Sequence, residues 1–515
     1  MSSPVLTSSP TGGPDAEDLR CIGYHQELHR RLGWFSSFAA GFSFVSILTT
    51  VFQLFALGYS FGGPAFFWTW PLVFAGQLCV ALVFAELAAS WPVAGCIYQW
   101  SRRLAGEIVG WFAGWAMLIG YIVSVAAIGI ALQAVLPAVW SGFQIIGTDP
   151  SVTSASGAAN GILLGSVLIA IATVISAVGV RFMALINGIG VTCEIIGVVL
   201  LLVLLFGHAE RGPGVVTQTL NVSGNSPYVY AFLASTLMAA YVMYGFDSAA
   251  ELSEETSEPR RVVPSAILRA LLVSFVGGGF MIVAALMAAP SLTDGQLSAG
   301  GIAYVITSRL NSTLGRALLT VVAISIVSAC LAIQNSASRV MFSMARDGRL
   351  PGARLLARVH PQTGTPIVTG IAVGVLAIAV LLINLGNPAA FAAVTSTSVV
   401  IVYLAYLLVT VPALRARLRR RLPVKRPGSF SLGRWGLPVN LFAVVYGVAM
   451  MVNIAWPRQS VYDPAGTSRV LQYLALLFVA GMIVVGLVVH RVLRGRAAPA
   501  AVDAAVDVTA AVAEA

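Results

Sequence analysis

The chain has 515 residues, of which 58% are hydrophobic and only 10% charged. An ordinary soluble domain carries about 25% charged residues, so that class is excluded. The net charge of +10 would fit a nucleic-acid binder, but the placement of the charges points to membrane topology and to no nucleic-acid partner.

Residues 1–18 are rich in Ser, Pro and Gly and read as disordered. The stretch "LRCIGYHQELHRRLGW" (19–34) has two readings. With Leu28 and Leu32 one turn apart it is a short interfacial helix; otherwise it is a solvated tail. Residues 1–33 are polar and charged, so no cleavable secretory signal is expected.

From residue 34 the chain turns into apolar runs of about 20 residues, the length a helix needs to cross a hydrocarbon core of roughly 30 Å. Twelve spans are predicted, at 34–58, 65–90, 108–137, 158–179, 183–207, 228–250, 263–289, 315–338, 367–385, 389–412, 437–456 and 470–490. A membrane β-barrel would show short alternating segments instead. With twelve spans and the N-terminus inside, the outer loops hold only Arg211, Arg309, Arg316, Arg458 and Arg469. The other Lys and Arg residues fall inside, many in the loop 413–436. That asymmetry is the positive-inside pattern, and it predicts a multi-pass plasma-membrane protein with both termini cytoplasmic. Residues 34–490 form one membrane domain, and 491–515 a disordered cytoplasmic tail.

Within the spans, polar groups at mid-depth mark protein-lined cavities or helix breaks, because lipid cannot satisfy a free backbone N–H or C=O. Span 1 carries Ser43, Ser46, Thr49 and Thr50 around its midpoint. Span 6 has Gly245 followed by Asp247 and Ser248, then Glu251, Glu254, Glu255 and Glu258. Interruptions in the first and sixth spans are where an inverted-repeat transporter places its site. Half-helix N-termini can hold a carboxylate, and half-helix C-termini an ammonium. The competing reading is that small residues merely let helices pack closely.

In "NGIGVTCEIIGVVLLLVLLFG" (187–207), Glu194 sits mid-span, where an acidic residue costs about 2.5–3.5 kcal/mol on insertion scales. It faces a wet cavity and exchanges a proton, or it is a neutral acid hydrogen-bonded to a neighbouring helix. Asp247 has the same pair of readings, with capping of a helix break as its structural role.

Cys21, Cys79, Cys96, Cys193 and Cys330 are scattered and read as core fillers. His25, His29, His208, His360 and His490 fall at span ends or in loops, so neither a metal cluster nor a His-based acid–base pair is expected. No cofactor and no enzymatic activity are predicted. A nucleotide-binding Gly-rich Lys-Ser/Thr loop is missing, which argues against a primary pump.

Three motifs in order carry a resemblance: "AELAASWPVAGCIYQW" (85–100), "GFDSAAELSEETSEPRRVVPSAI" (245–267) and "SASRVMFSMARDGRLPGARLLARVHPQTGTP" (336–366). Over roughly residues 20–490 the chain resembles the amino acid–polyamine–organocation superfamily of transporters. "IGYHQELHRRLGWFSSFAAGFS" (22–43) is similar to its amino acid/choline transporter branch. The resemblance implies an all-α LeuT-like fold: inverted repeats over 34–207 and 228–412, broken helices 1 and 6, and two extra helices over 437–490. It implies a substrate site between the broken helices, with Tyr241 as an aromatic gate and Tyr244, Gly245 and Phe246 covering the span-6 break. The family's Gly-Ser-Gly turn of span 1 is replaced by Ser46-Ile47-Leu48, and the second Gly of its span-2 signature by Cys96. Glu194 falls where several proton-coupled or sodium-independent members carry a lysine, with Ser325 and Ser328 of span 8 as neighbours. Lys425, the only lysine, lies in a loop.

The expectation is a secondary active transporter that takes up an amino acid or a related amine such as γ-aminobutyrate by alternating access. Its coupling ion is a proton, or alternatively sodium. An exchanger of the same fold, a choline or polyamine transporter, and a non-transporting amino acid receptor are the rivals.

Overall fold

The computed structural model describes residues 19–20, 23–152, 154–220, 222–224, 227–382, 390–422, 428–462, 466 and 468–494, with 390–396 and 494 described by backbone alone. The tails predicted to be disordered, 1–18 and most of 491–515, lie outside the described residues, as do Cys21 and Lys425.

Helices make up most of the described residues, which include no strand beyond one isolated β-bridge, Leu32 to Thr256. Nine stretches among them are long and apolar enough to cross a membrane, and Tyr228–Val242 and Ile367–Leu382 are apolar but shorter. The first predicted span is two helices, α1 (Trp34–Val45) and α2 (Ile47–Gly62). There follow α3 (Thr69–Ser90), α4 (Cys96–Ala105), α5 (Glu107–Val139), α6 (Ala155–Val178) and α7 (Val180–Gly207). The sixth predicted span is likewise split, into α8 (Tyr228–Val242) and the one-turn α9 (Ser248–Glu251). The remainder is α10 (Pro259–Ala288), α11 (Gly295–Arg309), α12 (Ser312–Arg346), α13 (Ile367–Leu382), α14 (Ala390–Leu418), α15 (Gly436–Ala455) and α16 (Leu474–Arg494). Helices α4 and α11 were not predicted, being too short or too polar to read as spans.

Burial sorts these helices. The central α5 packs against α12 and α14, and α2 against α8. In α7 one face is buried while Leu185, Ile189, Ile196, Val199 and Val203 on the other are exposed. A helix apolar on both faces, yet buried on only one, is what a bilayer solvates.

Residues 23–33 correct one expectation: they contain no helix. Their backbone pairs instead with the acidic end of span 6. The N–H groups of Arg31 and Leu32 both donate to Glu255 O at 2.9 Å, and Ser257 N donates to Leu32 O at 3.0 Å. Leu28 and Leu32, the supposed interfacial face, are buried in protein. The segment is a strap across the basic end of the bundle.

Candidate functional site

The two helix breaks face one another at the centre of the molecule. Ser46, between α1 and α2, has φ 38° and ψ 75°, a left-handed conformation that a non-glycine residue adopts only at a cost. Its surroundings hold it there. Ser46 N donates to Phe42 O at 2.7 Å, and Thr49 N and Thr50 N return to Ser46 O. Thr50 Oγ1 donates to both Val45 O and Ser46 O.

In an unbroken helix the Leu48 N–H would bond to Phe44 O. Here it donates to Glu194 Oε1 at 3.1 Å, and Ser46 Oγ bonds the same oxygen at 3.1 Å. Glu194 therefore caps the first turn of α2 from the neighbouring α7, at the positive end of that helix. Its side chain is fully buried and has no ion-pair partner among the described residues. Its second oxygen, Oε2, has no hydrogen-bond partner there either. The orphaned oxygen gives a proton or a cation a place to bind.

Of the other residues singled out in span 1, Thr49 Oγ1 bonds Ser46 Oγ at 2.8 Å. Ser43 Oγ pairs with Ser328 Oγ of α12 at 2.7 Å, and Ser328 Oγ reaches Asn187 Oδ1 of α7 at 3.0 Å. The fold thus brings Ser43, Ser46, Thr49, Glu194 and Ser328 into one patch joining spans 1, 5 and 8. Ser325 bonds back to Val321 O of its own helix. Ile47 turns its side chain toward Gly277 of α10.

The span-6 break is built around Gly245, at φ 91°. Phe44 of α1 lies so close that a Cβ added at Gly245 would sit 1.9 Å from its ring, so both the backbone angle and the space require glycine. The Gly245 N–H donates to the Tyr406 hydroxyl at 3.0 Å. Tyr244 OH meets Ser124 Oγ of α5 at 3.0 Å, and its ring stands edge-on to Tyr241 with centroids 5.3 Å apart. Phe246 packs instead against Phe84 and Tyr406. The breaks are tied directly where Ser248 Oγ donates to Ala40 O at 3.1 Å.

Asp247 makes no side-chain cap on α9. Its carboxylate accepts from Tyr121 OH of α5 at 2.6 Å and from Tyr406 OH of α14. It is fully buried, without an ion pair among the described residues. The sequence shows no metal-ligand spacing, yet the fold gathers donor atoms of Cys96, Asp247 and Glu251 within 4.8 Å of one another. Cys96 Sγ donates to Glu251 Oε1 at 3.0 Å and both oxygens of Asp247 accept from phenols, while Glu251 Oε2 has no hydrogen-bond partner among the described residues.

At the basic end the acidic tail of span 6 is neutralised by α12. Arg339 pairs with Glu255 at 3.0 Å and Arg346 with Glu254 at 2.9 Å. Asp347 accepts from Arg102, Tyr98 and Tyr24. Burial, then the Asp347 carboxylate, push the Tyr24 phenol up to about 12, so it remains a donor and pins the strap. Opposite, Arg309 pairs with Glu210.

Asn187, Tyr121, Ser124, Tyr406, Cys96 and Glu251 were not singled out as site residues from sequence. Hydroxyls and amides inside long apolar runs were the available signal. Tyr121 and Ser124, three apart on α5, share one helix face.

The family described as amino acid permease matches residues 32–487. The chain is 29% identical over 466 residues to "Amino-acid permease BAT1" of Arabidopsis thaliana, covering 85% of this chain and 88% of that one. It is 28% identical over 478 residues to "Amino-acid permease BAT1 homolog" of Oryza sativa subsp. japonica, covering 88% and 90%. Against "Uncharacterized amino-acid permease C74.04" of Schizosaccharomyces pombe it is 27% identical over 499 residues, covering 94% and 86%.

Proposed function

This chain belongs to the amino acid permease family, and from that premise we propose that it is a secondary active transporter moving an amino acid or related amine by alternating access, coupled to a proton held at Glu194. The observation that carries the reading is the Glu194 carboxyl itself. One oxygen caps the broken first span and the other has no hydrogen-bond partner among the described residues. Adding a proton to that carboxyl changes its charge at the positive end of α2, and with it the grip on the break. Protonation is thereby linked to the conformation of the helix that lines the site.

Substrate would lie between the breaks at Ser46 and Gly245, under Tyr241 and Tyr244. The carbonyls freed at the C-terminal ends of α1 and α8 suit an ammonium group. One feature favours a second reading, in which the substrate is held chiefly by its amine, as choline or a polyamine would be. The Leu48 N–H at the α2 N-terminus, a natural partner for a substrate carboxylate, is already taken by Glu194.

The test is uptake of radiolabelled amino acids, γ-aminobutyrate, choline and polyamines into proteoliposomes, with and without proton and sodium gradients. Accumulation of one class driven by the proton gradient is expected. Glu194→Gln should abolish that accumulation and leave counterflow exchange measurable. Wild-type accumulation by the variant at every pH would overturn the coupling role.

A further inference from the structure

A groove of about 530 Å³ runs between the start of α1 and the outward face of α7. Its walls include Phe35, Leu185 and Ile189, all exposed. Arg31 and Arg181 lie at one end, both exposed and neither with an ion-pair partner among the described residues. At the far end the groove reaches Cys193. From Arg181 to Cys193 the helix rises about 18 Å at ~1.5 Å per residue, a little over half of a hydrocarbon core of roughly 30 Å.

We propose that this groove binds one anionic phospholipid, with its phosphate between Arg31 and Arg181 and an acyl chain along Leu185 and Ile189. The charge of the site selects the occupant. Two uncompensated guanidinium groups at the membrane interface attract a net negative headgroup. A zwitterionic headgroup brings its own ammonium toward them. The apolar wall continues the bilayer-facing stripe of α7, so the chain enters from the lipid phase. A free anion would leave that wall unused.

The bound lipid spans two elements that matter to the site. Arg31 and Phe35 belong to the strap and the start of the broken span 1, and Arg181 to the helix that carries Glu194. Its headgroup holds the mouth of span 1 against span 5 at the basic end. This inference rests on the membrane reading of the chain and is independent of what is transported.

The full chain is reconstituted in nanodiscs of equimolar phosphatidylglycerol and phosphatidylcholine, and native mass spectrometry counts the lipid retained after release. Retention of phosphatidylglycerol roughly thirtyfold over phosphatidylcholine is expected from two interfacial arginines. The Arg31→Gln, Arg181→Gln double variant should bring the two to parity, and Arg316→Gln, exposed at the opposite end, should change nothing. Ile189→Trp, filling an exposed wall, should lower retention with both arginines present. The wild type should also melt higher in phosphatidylglycerol than in phosphatidylcholine nanodiscs, an increment lost in the double variant. Equal retention of the two lipids, selectivity that survives the double variant, or the same rise in melting temperature from inorganic phosphate alone would each overturn the proposal.

Discussion

Glu194 on α7 accepts the Leu48 N–H of α2 at 3.1 Å, so a side chain of the fifth predicted span supplies the bond that the broken first span lacks. Glu194→Ala strands that buried N–H, at a cost of about 1–3 kcal/mol. Glu194→Gln retains a carbonyl oxygen as acceptor and should keep most of the stability. Thermal unfolding of the two variants in detergent checks this. Equal melting temperatures would mean that the capping bond contributes nothing.

Tyr406 holds the span-6 break from two sides, donating to Asp247 and accepting from the Gly245 N–H. Tyr406→Phe preserves the ring packing on Phe84 and Phe246 but leaves a buried donor and a carboxylate oxygen each short of a partner. We expect a loss of about 2–4 kcal/mol from two such groups, together with impaired uptake. Ser124→Ala, which removes one bond to Tyr244, should cost less.

Gly245→Ala introduces a Cβ at φ 91° and drives it into the Phe44 ring. The backbone and overpacking terms together should destabilise by about 2–5 kcal/mol. Phe44→Ala in the same chain relieves only the clash. The double variant should therefore recover part of the loss, measured as its melting temperature against Phe44→Ala alone.

The Arg339–Glu255 pair is buried on both sides. Removing one partner alone leaves an uncompensated charge, so Arg339→Ala should cost about 3–5 kcal/mol, whereas Arg339→Met with Glu255→Leu should recover much of it. A double-variant series followed by unfolding would expose the coupling. Additive losses would show that the pair does not act as a unit.

Glu210 is held below the ordinary carboxylate range, first by the hydrogen bond from Arg309 and then by nearby positive charge. A lowered folded-state value contributes stability above the unfolded value of about 4.3, which is lost as pH falls through the lower folded value. The melting temperature of Glu210→Gln should lie slightly below wild type near neutral pH and converge with it in acid. A gap that widens on acidification would reverse the assigned direction.

Apolar runs long enough to span a bilayer, their sparse charge and the bias of arginine between loops were legible without coordinates, because membrane insertion acts on composition and length. That physics also made Glu194 conspicuous and marked spans 1 and 6 as interrupted. Ser46 and Gly245 sit at those breaks. The partners were not legible. Glu194 meets Leu48 across 146 residues and Asp247 meets Tyr406 across 159, and nothing local in either stretch encodes the match. Ser325 and Ser328, three residues apart on one helix, diverge: one bonds its own backbone and the other bridges to Ser43 and Asn187. The strap shows the same limit. Leu28 and Leu32 at helical spacing were compatible with an interfacial helix, but the acidic end of span 6 offered carbonyls to pair with. Segment length and polarity are local properties that the sequence determines alone; which side chain satisfies a broken helix depends on contacts that exist only once the helices have packed.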